Sequence, residues 1–402
     1  MVEHILSISD FFAADVLLTV FFFAIGLELV EEIVNGDLRD VKHASLPAVA
    51  ALGGVLIPAL IFSATIFFSG SPEFLHSGWA IPTATDVAFS LAVLSFFGSR
   101  LKPGVKLFLL VLAVVDDVIG IVIIAIAFSK DINAFALLGV VVLLMLWAFL
   151  MRMEKLPLPA LIAAAVGVWA CTYMSGIHPT IAGVLLGVTT PAKRFKVPSL
   201  SASDKSTKAI ARNATDTDVQ TSAVGGGAGY VLMSRAKYLG KRLEPLCNWV
   251  VVPVFAVVSL LVSGYELLHP LFSSADASGT SRLTHSPTTS IDAHTMFWVA
   301  SAVTLALVFG KPLGIILFAW VGQHLTPLKL FHGLKVRNLL GVSALGGIGF
   351  TVSFLVASLS FEDSTVIAVA RVGVLVGSVI SALLGFIIIK VSLRSKVVGK
   401  KS

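Results

Sequence analysis

Apolar residues run along this chain in long blocks, and the polar residues gather in the gaps between them. A helix that crosses a bilayer needs about 20 mostly apolar residues. On that measure the blocks predict eleven spans, at about 11–30, 45–68, 79–97, 106–128, 134–151, 158–174, 178–190, 247–264, 295–320, 338–360 and 365–389. Two stretches break the pattern: 191–246 is polar, with Gly225-Gly226-Gly227 and many Ser and Thr, and 270–294 is rich in Ser and Thr. They predict a cytoplasmic linker and an extracytoplasmic loop within one integral membrane domain covering 1–402.

Composition excludes the soluble alternatives. Of 402 residues, 56% are apolar and 13% charged, about half the charge that a soluble domain carries, and the mean hydropathy is +0.95. The excess apolar surface has to face lipid. Cys171 lies inside an apolar run and Cys247 beside a basic one, so no disulfide framework is expected. No charged n-region with a small-residue cleavage site opens the chain, and the first apolar run is expected to belong to the mature protein.

An odd number of spans puts the termini on opposite sides, and the distribution of Lys and Arg fixes which is which. With the C-terminus cytoplasmic, 25 of the 29 basic residues fall in that tail and the alternate loops, and the opposite loops hold only Lys130 and Arg282. Lys311 and Arg371 lie within spans. The expected topology is N-terminus outside, C-terminus cytoplasmic. The net charge of +6 is then a topogenic signal, and no nucleic-acid partner is expected.

Compared with itself at an offset of 265 residues, the chain aligns Val87 with Val352, Phe89 with Phe354, Ser95 with Ser360, Lys106 with Arg371, Gly120 with Gly385 and Pro47 with Pro312, without a gap. The second to fourth spans thus correspond to the ninth to eleventh, giving repeat units at about 45–128 and 310–390. A shift of seven spans inverts one unit relative to the other. Inverted repeats mark secondary transporters, whose sites form at mid-membrane where interrupted helices meet. Pro82-Thr83-Ala84-Thr85-Asp86 and Gly346-Gly347-Ile348-Gly349 supply the interruptions.

Asp86, Asp116, Asp117 and Lys311 lie deep in the predicted spans, where a charge costs at least about 2.5–3.5 kcal/mol. At 1.5 Å per residue, Asp86 is about 18 Å from the Gly98 turn and Asp116 about 15 Å back from Lys106, so the hairpin brings the carboxylates to one depth. Asp116 and Asp117 point about 100° apart on a helix, leaving one for an ion and the other for a fixed partner. Carboxylates that share a poorly solvated site titrate as a coupled pair. Protons and a small hard cation can then compete for the same oxygens. Lys311 can act as a salt-bridge partner or as a proton carrier. A structural role is open to Asp86, as a cap on a helix that restarts after the break. Asp15 and His178 are expected to be structural, and Glu28, Glu31 and Glu32 end the first span on the cytoplasmic side.

The strings Phe22-Phe23-Ala24-Ile25-Gly26-Leu27-Glu28, Ala84-Thr85-Asp86-Val87-Ala88-Phe89, Val115-Asp116-Asp117, Gly310-Lys311-Pro312-Leu313-Gly314 and Gly346-Gly347-Ile348-Gly349-Phe350-Thr351 resemble those of the NhaA-type sodium/proton antiporter family, over about residues 10–390. The resemblance implies a fold of inverted repeats with two interrupted helices crossing at mid-membrane. By the same resemblance Asp117 would be the main ion ligand and Asp116 the salt-bridge partner of Lys311. Asp86 with Thr85 would compensate the helix ends at the crossing, and Glu28, Glu32 and Glu244 would line a cytoplasmic entrance linked to pH response. The activity implied is exchange of Na+ or Li+ for H+ across the cytoplasmic membrane, for pH and sodium homeostasis, with no cofactor. The family pattern has twelve spans. The one without a counterpart here is the first, together with the extracellular hairpin that helps some members form homodimers. Where some members carry histidine this chain has Lys196, Pro245 and Asn248, so the family's steep alkaline activation is expected to be shifted or absent.

Two other classes also place carboxylates in membranes. An intramembrane aspartyl protease would show Gly-x-Gly-Asp, whereas Asp86 follows Ala84-Thr85 and the 116/117 pair has no such glycines. A passive cation channel would use symmetric pore-lining segments and has no need of proton coupling.

Overall fold

The computed structural model describes residues 12–39, 41–98, 101, 103–129, 132–153, 158–198, 230–273, 293–325 and 336–398. The chain is mostly helical, as its apolar blocks predict. In order the helices are α1 (Leu18–Val34), α2 (Val41–Phe68), α3 (Val87–Ser95), α4 (Pro103–Ala127), α5 (Ala134–Leu150), α6 (Leu158–Met174), α7 (Thr180–Thr189), α8 (Arg235–Leu246), α9 (Val252–Ser273), α10 (Ala293–Leu305), α11 (Lys311–Leu325), α12 (Val336–Gly346), α13 (Phe350–Ser360) and α14 (Ser364–Val398). A 3-10 helix occupies Glu73–Thr83, and π-helical turns occupy Phe12–Leu17, Cys247–Val251 and Ala306–Gly310.

By length and apolarity five helical stretches among the described residues can each cross a bilayer: Ser45–Phe68, Gly104–Ala127, Arg235–Glu266, Ala293–His324 and Ser364–Leu393. A sixth is the pair Asn338–Gly346 and Phe350–Ser360, bent by 41° at its break. α5, α6 and α7 are shorter apolar helices. Other predicted blocks are divided by π-helical or 3-10 turns, so an apolar run long enough to cross is not always one long helix.

The ends of the stretch expected as a linker, 191–246, are ordered. Strands β1 (Arg194–Pro198) and β2 (Tyr230–Ser234) pair antiparallel, Arg194 opposite Ser234 and Pro198 opposite Tyr230, a departure from an all-α chain. The Ser234 hydroxyl accepts from Lys237 N at 3.0 Å and so caps α8. This starts the helix ahead of the predicted span at 247. Residues 199–229, with Gly225–Gly227, and 274–292 of the predicted outer loop lie outside the described residues.

Two compact units divide the chain. One comprises Met1–Leu18, Asp40–Lys130 and Val252–Ser402. Within it α2 packs most extensively on α11, because glycines face each other: a Cβ on Gly314 would lie 2.0 Å from Gly53 O, and one on Gly53 2.2 Å from Gly314 O. Close backbone approach at small residues is how membrane helices gain packing energy. Phe108, Leu112, Ile315, Leu345, Ile348 and Ile389 form its core.

The second unit comprises Thr19–Arg39 and Asp131–Val251. α5, α6 and α7 bury Trp147, Leu161, Val168 and Leu186 together. Trp147 Nε1 donates to Leu186 O at 3.1 Å and Thr190 Oγ1 at 3.2 Å, which satisfies its one polar group in an apolar setting. Ala236 of α8 packs with Leu27 and Ala192.

Candidate functional site

Both predicted interruptions are present, and both fall in the first unit. The helical path stops at Thr83, residues 84–86 are extended, and α3 starts at Val87. The segment before this break is a 3-10 helix containing Pro82, which has no N–H to donate. The second break lies between Gly346 and Phe350. The two breaks meet: Asp86 N donates to Ile348 O at 2.6 Å, Ser90 Oγ to Leu345 O at 2.9 Å and Thr85 Oγ1 to Gly346 O at 2.9 Å.

Helices that stop and restart leave free N–H groups at each restart, and Asp86 serves two of them. Its Oδ1 accepts from Phe89 N at 3.2 Å, at the start of α3. Its Oδ2 accepts from Thr351 N at 3.2 Å and Thr351 Oγ1 at 2.7 Å, at the start of α13. One carboxylate therefore faces the N-termini of two helices, where negative charge is stabilised. Sequence reading gave Thr351 no role, although the signal was available. Asp86 and Thr351 are 265 residues apart, the offset of the repeat.

The second group of charges sits beside the first. Lys311 Nζ donates to Asp116 Oδ2 and to Thr85 Oγ1, each at 2.6 Å. Thr85 Oγ1 lies 2.7 Å from the same Asp116 oxygen. Lys311 and Asp116 are fully buried. An ion pair withdrawn this far from water holds only if its lone pairs and protons are used, and Thr85 helps to use them. Asp116 Oδ1 accepts no hydrogen bond from any described residue. Next in the chain, Asp117 is also buried, and its charge acts on Lys311. The expected charges are thus brought together in two adjoining sets, Lys311–Asp116–Thr85 with Asp117 beside it, and Asp86–Thr351.

Why Lys311 takes this position follows from local sequence. The π-helical turn Ala306–Gly310 ends at it, with Lys311 N donating to Ala306 O, five residues back. Pro312 follows. A proline inside an α-helix clashes with the carbonyl four residues before it, and a π turn opens the helix at that point.

The carboxylates expected at the entrance belong to the second unit. Glu28 on α1 experiences the charges of Glu32 and Glu244, so these three share one electrostatic neighbourhood. Glu31 is held at this end of α1: its Oε2 accepts from Asn35 Nδ2 at 3.1 Å and from Ser234 Oγ. Asn35 Nδ2 also donates to Ala192 O at 2.9 Å. His178 Nδ1 is 2.8 Å from Thr180 Oγ1 at the start of α7. Lys196 lies in β1 opposite Leu232, Pro245 within α8 and Asn248 in the π turn after it.

Oxygen-rich, buried and ionisable, the first unit's cluster suits a small hard cation in exchange with protons, since such cations select oxygen ligands. Comparison with known proteins agrees. The family model described as Na+/H+ antiporter 1 matches residues 3–269 and 265–389. The Na(+)/H(+) antiporter NhaA of Bifidobacterium adolescentis is 36% identical over 393 residues, covering 93% of this chain and 74% of that protein. Its namesake in an Arthrobacter species is 39% identical over 389 residues, covering 94% and 73%. For that of Frankia casuarinae the figures are 37% over 388 residues, 96% and 75%. With matches this long over both halves of the chain, it belongs to the Na+/H+ antiporter 1 family.

Proposed function

We infer that this chain is a secondary active antiporter, not an enzyme, that exchanges Na+ for H+ across the cytoplasmic membrane and so serves sodium and pH homeostasis. The observation that carries the reading is the contact of Lys311 with Asp116 and Thr85 at the meeting point of two helix breaks. Asp117 is the principal ligand of Na+, with Li+ as a second cargo. Asp116 is held by Lys311, and the 2.6 Å contact supports the salt-bridge role for the lysine over that of carrier. Protons and cation alternate on these carboxylates because binding either one removes the negative charge that attracts the other. Asp86, with its hydrogen bonds spent on two helix starts, balances the crossing and leaves transport to the 116/117 pair.

Alternating access follows from two inverted units, 45–128 and 310–390, that rock about the crossing. The contact between Asp86 and Thr351, residues equivalent under the 265-residue offset, supports that symmetry. Eleven spans with the N-terminus outside and the C-terminus cytoplasmic agree with the 25-to-2 split of basic residues. Glu28, Glu32 and Glu244 form the pH-responsive entrance.

The test is sodium-driven proton movement in inside-out membrane vesicles. The parent should dissipate a preformed pH gradient on addition of Na+ or Li+, and Asp117→Asn should lose that response. A parent that leaves the gradient intact would remove the antiporter reading. If Asp117→Asn exchanges as well as the parent, the ligand assignment falls and the function stands.

A further inference from the structure

The π turn before Lys311 strands a carbonyl. In an α-helix Leu307 O would accept from Lys311 N, but that N–H goes to Ala306 O. In a π-helix it would accept from residue 312, which is proline and has no N–H. Leu307 O therefore receives neither the α-type nor the π-type helical bond, and a buried carbonyl rarely stays unsatisfied.

A donor stands beside it. Leu307 O and Ser381 Oγ each lie 2.5 Å from the point a Cβ on Gly347 would occupy, so the two oxygens are separated by no more than about twice that distance. Ser381 is fully buried on α14, and its hydroxyl bonds to none of the described residues. Several helix hydroxyls of this chain fold back on the carbonyl four residues before them, as Thr65, Thr172, Ser263 and Ser360 do. Ser381 does not use the same outlet on Gly377 and turns to the second break instead. A bond to Leu307 O requires only that the Ser381 side chain turn within its staggered rotamers, since no other described group holds its hydroxyl.

We propose that Ser381 is a positioning residue of the ion site: its hydroxyl is the donor for the stranded Leu307 carbonyl, and through it holds the π turn that sets Lys311 against Asp116. The proposal rests on the reading of Lys311 and Asp116 as parts of the exchange site.

A cycle with Pro312→Ala tests it, because that change restores an N–H to the turn and relieves the need for Ser381. Ser381→Ala should lower the thermal midpoint of the purified protein, raise the Na+ concentration for half-maximal response about fivefold, the scale of one hydrogen bond, and displace the pH profile. Ser381→Thr, which keeps the hydroxyl, should match the parent. In the Pro312→Ala background, Ser381→Ala should change neither midpoint nor Na+ response. Equal losses in both backgrounds, or no loss in either, overturn the proposal. If Ser381→Ala does not accumulate, Ser381→Cys against Ser381→Thr makes the same comparison, and equal values for those two overturn it as well. The thermal cycle needs no transport, so it stands even if the parent moves no protons, an outcome that would strike the antiporter reading alone.

Discussion

Thr85 carries a single hydroxyl proton, and two oxygens compete for it: Asp116 Oδ2 at 2.7 Å and Gly346 O at 2.9 Å. Lys311 supplies a proton of its own to Thr85 Oγ1 and another to Asp116 Oδ2. The hydroxyl can therefore turn from the carboxylate to the helix carbonyl without leaving Asp116 bare. Removing Lys311 is a different matter, since it leaves a buried carboxylate without its counter-charge, a loss on the order of 3–5 kcal/mol where it has been measured. Lys311→Met should consequently destabilise the protein severely, whereas Lys311→Met combined with Asp116→Leu should recover much of the lost stability while remaining inactive. Thermal unfolding of the three variants checks this. A double variant no more stable than Lys311→Met would mean that the pair is not the stabilising unit.

At the scale of elements, α2 and α11 are held together by what two positions lack. A methyl on Gly314 would meet Gly53 O at 2.0 Å, a distance that no rotamer relieves because both sides are backbone. Gly314→Ala should separate the helices and displace Lys311, which opens α11, with loss of folded protein on size-exclusion chromatography. Gly120→Ala in α4, where a Cβ meets nothing within 4 Å, should be neutral or slightly stabilising by helix propensity. The breaks themselves were legible in the sequence, because Pro82 and the Gly346–Gly349 run are poor helix formers and buried charge is rare enough to be informative. Thr351 was legible only through the repeat, since a threonine inside an apolar run draws no notice by itself and its 265-residue offset from Asp86 is what marks it. The ribbon 194–198 with 230–234 was hidden, because its pairing joins segments separated by a long polar stretch. The π turn at Ala306–Gly310 leaves a trace only in Pro312, and a proline alone does not distinguish a π turn from a kink.

For the whole molecule, division into two compact units separates two chemistries. Lys311, Asp116, Asp117 and Asp86 belong to one unit, and Glu28, Glu32 and Glu244 to the other. If the second set governs response to pH and the first binds the ion, the two properties should be separable by mutation. Glu32 and Glu244 act on Glu28 as like charges, so the charge state of Glu28 is coupled to theirs. Replacing all three by glutamine removes that coupling. The pH of half-maximal exchange should then move, while the Na+ concentration for half-maximal response, measured at each protein's best pH, should stay within about twofold, under half a kcal/mol. Single replacements should each move the pH profile by less than the triple, because two of the carboxylates remain. A triple variant with the parent's pH profile would take these residues out of regulation. A triple variant with weakened Na+ response at its best pH would make them part of the ion path itself, and the division of labour between the units would be lost.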